Sequence, residues 1–232
     1  MKNYSNIVVL TGAGISAESG IRTFRAADGL WEDHRIEDVA TPEAFSRDPN
    51  LVQRFYNMRR AQLLEMQNGK RKIQPKREFS GQVLVVTQNI DNLHETAGSK
   101  TVLHMHGEIL KMHCKKTQEK FVCERDLSIN DLCECCEETG NLRPHIVWFG
   151  ETPLFMEEIY QALEQCELFV AIGTSGNVYP AAGFVEFANQ VGADTLEINI
   201  EESSVASAFD QTIYQPATEA VPIWAEALIK HG

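Results

Sequence analysis

The chain has 232 residues and 43% apolar content, enough to bury a substantial core, so wholesale disorder is excluded. Its 21 basic residues face 33 acidic ones, and a formal charge of -12 argues against electrostatic capture by nucleic acid or anionic lipid while tolerating basic partners such as lysine-bearing peptides. The opening MKNYSNIVVLTGAG holds only a short apolar run, far below the length of a signal-peptide or membrane-spanning core, and a cytoplasmic, monomeric protein is expected.

In chain order, Ile7 to Leu10, Val83 to Thr87, Leu168 to Ile172 and Thr195 to Ile200 are continuous runs rich in β-branched residues, the pattern of strands covered on both faces. Other segments carry a helical period. Pro49 to Glu65 predicts one helix, Phe155, Ile159 and Leu163 stand one turn apart in a second, and Ala181 to Val191 reads as a third. This alternation implies an α/β fold, a doubly wound parallel-sheet (Rossmann-like) large domain, and the two intervals that interrupt it, one helical and one holding the cysteines, read as parts of a smaller inserted domain. The expected division gives 1–31, 76–107 and 145–232 to the large domain, and 32–75 and 108–144 to the small one. Met66 to Gln82 is polar and basic with no helical period, yet it leads into a strand where a parallel sheet normally needs a covering helix. A surface loop and a deletion between about Gln74 and Arg77 both fit that stretch.

The first strand runs into TGAGISAESGIRTFR, where Gly12 and Gly14 allow a tight turn and close backbone approach to a pyrophosphate. The spacing departs from the GxGxxG of hydride-transferring dehydrogenases. Tyr56 and Arg59 in FYNMRR are three apart and share one helix face. TQNIDNLHE begins at the carboxyl end of the second strand, where ligands gather in open α/β sheets. In LHMHGE, His104 and His106 point to one side if the segment is extended. Five of the six cysteines, Cys114, Cys123, Cys133, Cys135 and Cys136, crowd into 23 positions, which favours metal over disulfides. Cys114, Cys133 and Cys136 give three thiolates of a tetrahedral zinc site; Cys123 or Cys135 is left as the fourth, and a reduced cluster without metal is the alternative. Cys166, on a predicted helix, reads as core.

Together these motifs resemble the sirtuin family, its bacterial CobB type in particular, over nearly the whole chain. Two departures are the polar stretch around Pro75 and a first cysteine pair that reads Cys114-Lys-Lys-Thr117. The resemblance implies an NAD-dependent protein-lysine deacylase, acting as deacetylase and as desuccinylase or demalonylase, with a structural zinc; the alternative is a mono-ADP-ribosyltransferase using the same pocket. It assigns NAD contacts to Gly12, Ala13, Gly14, Ser16, Ala17 and Glu18, then to Thr23, Phe24, Arg25 and Trp31, with Phe24 shielding the sugar. Gln88, Asn89, Ile90 and Asp91 form the nicotinamide end, Asn89 also touching the ribose and Asp91 the carboxamide. Gly173, Thr174 and Ser175 of GTSGNVYPAAG continue the NAD site, Asn199, Ile200 and Glu201 face the adenosine ribose, and Ala217 closes over the adenine.

By the same resemblance His106 is the catalytic base, with Asn89 as the second catalytic residue, and His104 belongs to the scaffold. Val147, Phe149 and Gly150 of PHIVWFGE are expected to run extended from His145 and pair with the acyl-lysine peptide, joined by Asn177, Val178 and Tyr179. Tyr56 and Arg59 match the subgroup in which this pair meets the carboxylate of succinyl- or malonyl-lysine, and the small Ala26 and Ala27 agree with it. The implied reaction starts with attack of the acyl oxygen on the anomeric carbon of the nicotinamide ribose, expelling nicotinamide. His106 then takes a proton from the ribose hydroxyls, the 2′-oxygen attacks the acyl carbon, and hydrolysis leaves free lysine and O-acyl-ADP-ribose.

Overall fold

The β-branched runs form the strands expected of them: those from Ile7 and Val83 gain polar flank, that from Leu168 keeps its bounds, and that from Thr195 gains Asp194 and stops at Asn199. The computed structural model describes residues 2–20, 30, 31, 34–67 and 80–231. Thr23, Phe24, Arg25, Ala26, Ala27, the side chain of Trp31 and the stretch from Gln74 to Arg77 lie outside the described residues. The first half runs β1 (Asn6–Thr11), α1 (Ala13–Ala17), β2 (Leu30–Trp31), β3 (His34–Arg35), α2 (Ile36–Val39), α3 (Pro42–Arg47), α4 (Pro49–Gln67), β4 (Gln82–Thr87), α5 (Leu93–Ala97) and β5 (Val102–His104). The second half adds β6 (Gly107–Cys114), β7 (Lys120–Val122), β8 (Leu142–Ile146), α6 (Met156–Glu164), β9 (Leu168–Ile172), α7 (Phe184–Val191), β10 (Asp194–Asn199), β11 (Gln211–Tyr214) and α8 (Ala217–His231).

Six strands form one parallel sheet in the order β5, β4, β1, β9, β10, β11. Numbered by their succession along the chain, that order is 3-2-1-4-5-6, the doubly wound arrangement. Its reversal falls between β1 and β9, so the loops after Thr11 and Ile172 diverge and open a crevice at the carboxyl ends of the strands. The two faces follow from the period of two along each strand. Val8 and Leu10 of β1 pack with Ile159 and Leu163 of α6 and Phe184, Val185 and Ala188 of α7. Their neighbours Ile7 and Val9 point the other way, against Ala220 and Leu228 of α8. Each such aliphatic side chain contributes about 1.5–3 kcal/mol when fully buried, which is why a run this apolar does not stay on a surface.

The smaller module places α2, α3 and α4 against a three-stranded antiparallel sheet in the order β7, β6, β8. Thr41 caps α3 by accepting from the Ala44 amide, with Pro42 at the first helical position. Val52, Phe55, Tyr56 and Leu63 of α4 bury one stripe against Ile109, Ile146 and Trp148.

The segment from His145 to Gly150 is not one extended strand. β8 stops at Ile146, the Val147 amide donates to the His106 carbonyl at 2.9 Å, and the Phe149 amide donates to the Ala40 carbonyl at 3.0 Å. The turn has a local cause. Glu151 accepts from the Trp148 amide at 2.8 Å and draws the chain back on itself, and Gly150 takes φ +91°, a conformation that favours glycine. Cys166 follows α6 rather than sitting on it, and is buried as core.

Candidate active site

The crevice at the sheet reversal is a cavity of about 820 Å³, within the range of small-molecule sites. Its floor is made by two loops locked together. The Gly12 amide donates to Ile172 and the Gly14 amide to the Gly173 carbonyl. A Cβ at Gly12 would stand 2.7 Å from the Gly173 oxygen, and one at Gly14 would stand 2.7 Å from the Gly173 Cα. Gly173 itself has φ +62°. These glycines are thus required first by each other, a reason different from the close approach to a phosphate that the sequence suggested. Ala13, Ala17, Thr174, Ser175 and, at the far rim, Asn199, Ile200 and Glu201 line the same cavity.

At the end of β4 the QNID turn is fixed by hydrogen bonds through Asn89. Its amide donates to Thr87 Oγ1 at 3.1 Å, and its Nδ2 donates to the Gly12 carbonyl and to Ser16 Oγ, both at 2.9 Å. Ser16 Oγ donates in turn to Asp91 Oδ2 at 2.8 Å, while Asp91 Oδ1 accepts from the Leu93 amide. Asn89, Ser16 and Asp91 are all buried, and all three border the cavity together with Gln88 and Ile90. An ordered donor–acceptor chain in a buried place gives each group one orientation.

His106 also borders the cavity, in the two-residue turn that joins β5 to β6. Gly107 makes that turn possible, with φ +86° and no room for a Cβ, which would lie 2.1 Å from the His145 oxygen. His106 Nδ1 is 3.1 Å from the Gln88 carbonyl. A carbonyl only accepts, so Nδ1 carries the hydrogen and Nε2 keeps its lone pair. Burial lowers the pKa of the ring below the ordinary imidazole value, and the ring is neutral at pH 7.

The wall facing this base comes from the small module. Tyr56 and Arg59 share the inner face of α4; Tyr56 is fully buried, Arg59 nearly so, and both line the cavity. Burial raises the Tyr56 pKa, so its hydroxyl stays protonated. Trp148 Nε1 donates to Tyr56 Oη at 3.0 Å. The indole is clamped in turn, because the Arg143 guanidinium lies 3.3 Å over its ring and binds both Glu151 oxygens, at 2.7 and 2.9 Å. Sequence reasoning placed Trp148 only within the substrate-binding run and missed Arg143 and Glu151 as parts of the site. The available signal was a charged pair bracketing an apolar Trp-containing run.

Val147, Phe149, Gly150, Asn177, Val178 and Tyr179 complete the lining, Tyr179 being 70% exposed at the rim. Glu18 and Ala217 are brought together, but away from the lining. The Glu18 carboxylate accepts from the Ala217 amide at 2.8 Å, from the Thr218 amide at 3.2 Å and from the Thr218 hydroxyl, and so caps α8.

In the small module the sulfurs of Cys114, Cys133, Cys135 and Cys136 lie within 4.8 Å of one another. Cys114 and Cys136 are 3.7 Å apart, and Cys133 and Cys135 3.2 Å. A tetrahedral zinc with bonds of about 2.3 Å needs sulfur separations of about 3.8 Å, so the group fits such an ion with a small adjustment. Cys135 therefore completes the set, and Cys123 does not, its thiol reaching the Arg125 carbonyl at 3.4 Å instead.

A model of the Sir2 family matches residues 12–180. A protein of Vibrio vulnificus named NAD-dependent protein deacylase is 55% identical over 238 residues, covering 98% of this chain and 95% of that protein. One of Pasteurella multocida with the same name is 56% identical over 227 residues, covering 96% and 97%. Among solved structures, a Sir2 homolog–NAD complex superposes with a TM-score of 0.80 at 32% identity, covering 98% of this chain and 90% of that one. A Sir2–p53 peptide–NAD+ complex gives 0.72 at 27% identity, covering 97% and 93%.

Proposed function

Because the chain belongs to the Sir2 family, we propose a specific division of labour in its cavity for an NAD-dependent protein-lysine deacylase. The activity is that of the family; the roles of residues are inferred from the geometry. NAD, when bound, supplies an electrophilic ribose carbon and the ADP-ribose that finally carries the acyl group. The interlocked glycine loops at Gly12, Gly14 and Gly173 hold its middle, Asn89 and Asp91 its nicotinamide end. A carboxylate at Glu201 favours free ribose hydroxyls over a phosphorylated sugar.

His106 is the general base. With Nδ1–H committed to the Gln88 carbonyl, only Nε2 is left to take a proton from a ribose hydroxyl, and the ring is neutral at working pH. The contact of Nδ1 with the Gln88 carbonyl, which selects that tautomer, is the observation on which the reading rests. Val147, Phe149 and Trp148 shield the acyl-lysine from water, with Asn177 and Tyr179 at the peptide rim. The Tyr56 hydroxyl and the Arg59 fork meet the carboxylate of a succinyl or malonyl group, so acidic acyl chains are removed as well as acetyl. Asn89 shares the ribose contact as the second catalytic residue.

Zinc is the metal that the four thiolates would hold, in a structural role. Cysteines clustered as a metal would need them, not as disulfides would, support a reducing compartment, and we place the protein in the cytoplasm. Among the described residues no helix is long and apolar enough to cross a membrane. The packing of separate cores supports 1–31, 76–107 and 145–232 as the NAD-binding domain and 32–75 and 108–144 as the inserted one, except that Ile146 and Trp148 pack in the core of the inserted domain.

The test is product analysis with His106→Tyr alongside. The wild type should release nicotinamide, free lysine peptide and O-acyl-ADP-ribose, and the variant should lose about 10²–10⁴-fold in turnover with an unchanged melting curve. ADP-ribosylated protein in place of O-acyl-ADP-ribose, or wild-type turnover by the variant, would overturn the reading.

A further inference from the structure

Two residues before the base stands a histidine that the deacylation chemistry does not use. His104 ends β5 and is 4% exposed. Both of its ring nitrogens are engaged: Nδ1 lies 3.2 Å from the Asn89 carbonyl and Nε2 lies 2.7 Å from Glu95 Oε1 on α5. A backbone carbonyl and a carboxylate can only accept. Each nitrogen must therefore donate, and the ring in this arrangement is an imidazolium.

We propose that His104, doubly protonated between Glu95 and the Asn89 carbonyl, is a positioning residue that holds the QNID turn in its working geometry. The proposal rests on the deacylase reading of Asn89 and His106, whereas the protonation state does not. Asn89 is fixed by four hydrogen bonds, and His104 supplies the only one of these that its carbonyl accepts. The carbonyl bond sets the Asn89–Ile90 peptide plane, which adjoins at the Asn89 Cα the Gln88–Asn89 plane whose carbonyl fixes the tautomer of His106. One histidine thus acts on the other through two adjoining peptide units.

The charged groups around His104 agree with this state. Burial works against its charge, but the Glu95 hydrogen bond and charge, the Asn89 carbonyl and the charge of Glu108 on β6 outweigh it and hold its pKa above the ordinary value. His94, also on α5, is kept neutral by burial and adds no competing cation. When pH rises through the His104 pKa, one proton must leave. A lone pair turned toward a carboxylate is repulsive, so Nε2 keeps its hydrogen and the Asn89 carbonyl loses its donor. The turn is then released, and kcat falls.

Two histidines set opposite limits on one activity. His106 must be neutral and gives the acid limb; His104 must be charged and gives the alkaline one. The measurement is long-range proton–nitrogen correlation on the full-length protein with labelled histidine, together with kcat against pH. At about pH 7 both ring nitrogens of His104 should be protonated, and the ring should titrate above about 6.5 while His106 titrates below it. Glu95→Gln should move the His104 titration and the alkaline fall in kcat to lower pH by the same amount. His104→Gln, which keeps one donor but cannot titrate, should remove the alkaline limb. A bare nitrogen on His104 at about pH 7 overturns the charged state, and this needs no variant to fold. Two protonated nitrogens with an alkaline limb that Glu95→Gln leaves in place overturn the positioning role. A wild-type protein that deacylates no peptide at any pH overturns the deacylase reading and the positioning role with it.

Discussion

The floor of the cavity and the wall that faces it are made from different materials. The floor is backbone: glycines at 12, 14 and 173 pressed against each other, and an asparagine hydrogen-bonded into the gap. The wall is side chain: Arg143 and Glu151 hold Trp148, and Trp148 holds Tyr56. Backbone contacts cannot be retuned one residue at a time, whereas a chain of side chains can. The floor therefore suits the part of the reaction common to every substrate, and the wall suits the part that differs between acyl groups.

The harshest way to test that contrast is at Gly14. A methyl group there meets the Gly173 backbone at 2.7 Å, and Gly14→Ala should cost about 1–3 kcal/mol of stability, read as a lower melting temperature. Turnover of acetyl- and succinyl-lysine peptides should fall together; loss of one alone would contradict the division. Arg59→Met comes next. Removing a charge-assisted hydrogen bond of about 1.5–3 kcal/mol should lower kcat/KM for a succinyl peptide roughly 10- to 100-fold, with a far smaller change for an acetyl peptide. Equal losses on both peptides would move Arg59 from wall to common machinery. Glu151→Gln leaves a hydrogen-bonding amide but removes the charge that steadies Arg143 over the indole. It should raise the succinyl KM by about 1 kcal/mol, or a few-fold, because it acts only through Trp148.

The smallest effect expected is one of shape. The lowered pKa of His106 puts its neutral, active form on the alkaline side of a value below 6.5, so kcat/KM should rise with pH through a midpoint below 6.5. An acid limb centred above that value would show that the base is not the desolvated imidazole described above.

Four of the six strands of the sheet were legible because β-branched residues crowd four short runs, and burial on both faces demands that composition; β5 and β11, at its edges, lack it. Helix α4 was legible from its period, and so was the shared face of Tyr56 and Arg59, though not that this face is buried. Burial there depends on Trp148, ninety-two positions away, and no local pattern carries a contact of that range. The fourth thiol is a similar case. Cys133, Cys135 and Cys136 can be sorted only when the backbone turn that points Cys135 inward and the separate engagement of Cys123 are seen. Glu18 was read as a cofactor contact within its run, but its carboxylate caps a helix that starts 199 residues later. Residues that work through their immediate neighbours were readable, and residues that close long loops in the chain were not.

Only Met105 and His106 separate β5, in the large sheet, from β6, in the small one. Met105 is anchored by its amide to Thr87 and by its carbonyl to the Leu154 amide, which leaves His106 at the crossing itself. The imidazole is therefore aimed from both sheets at once, and a substitution that displaces either strand end displaces the ring with it.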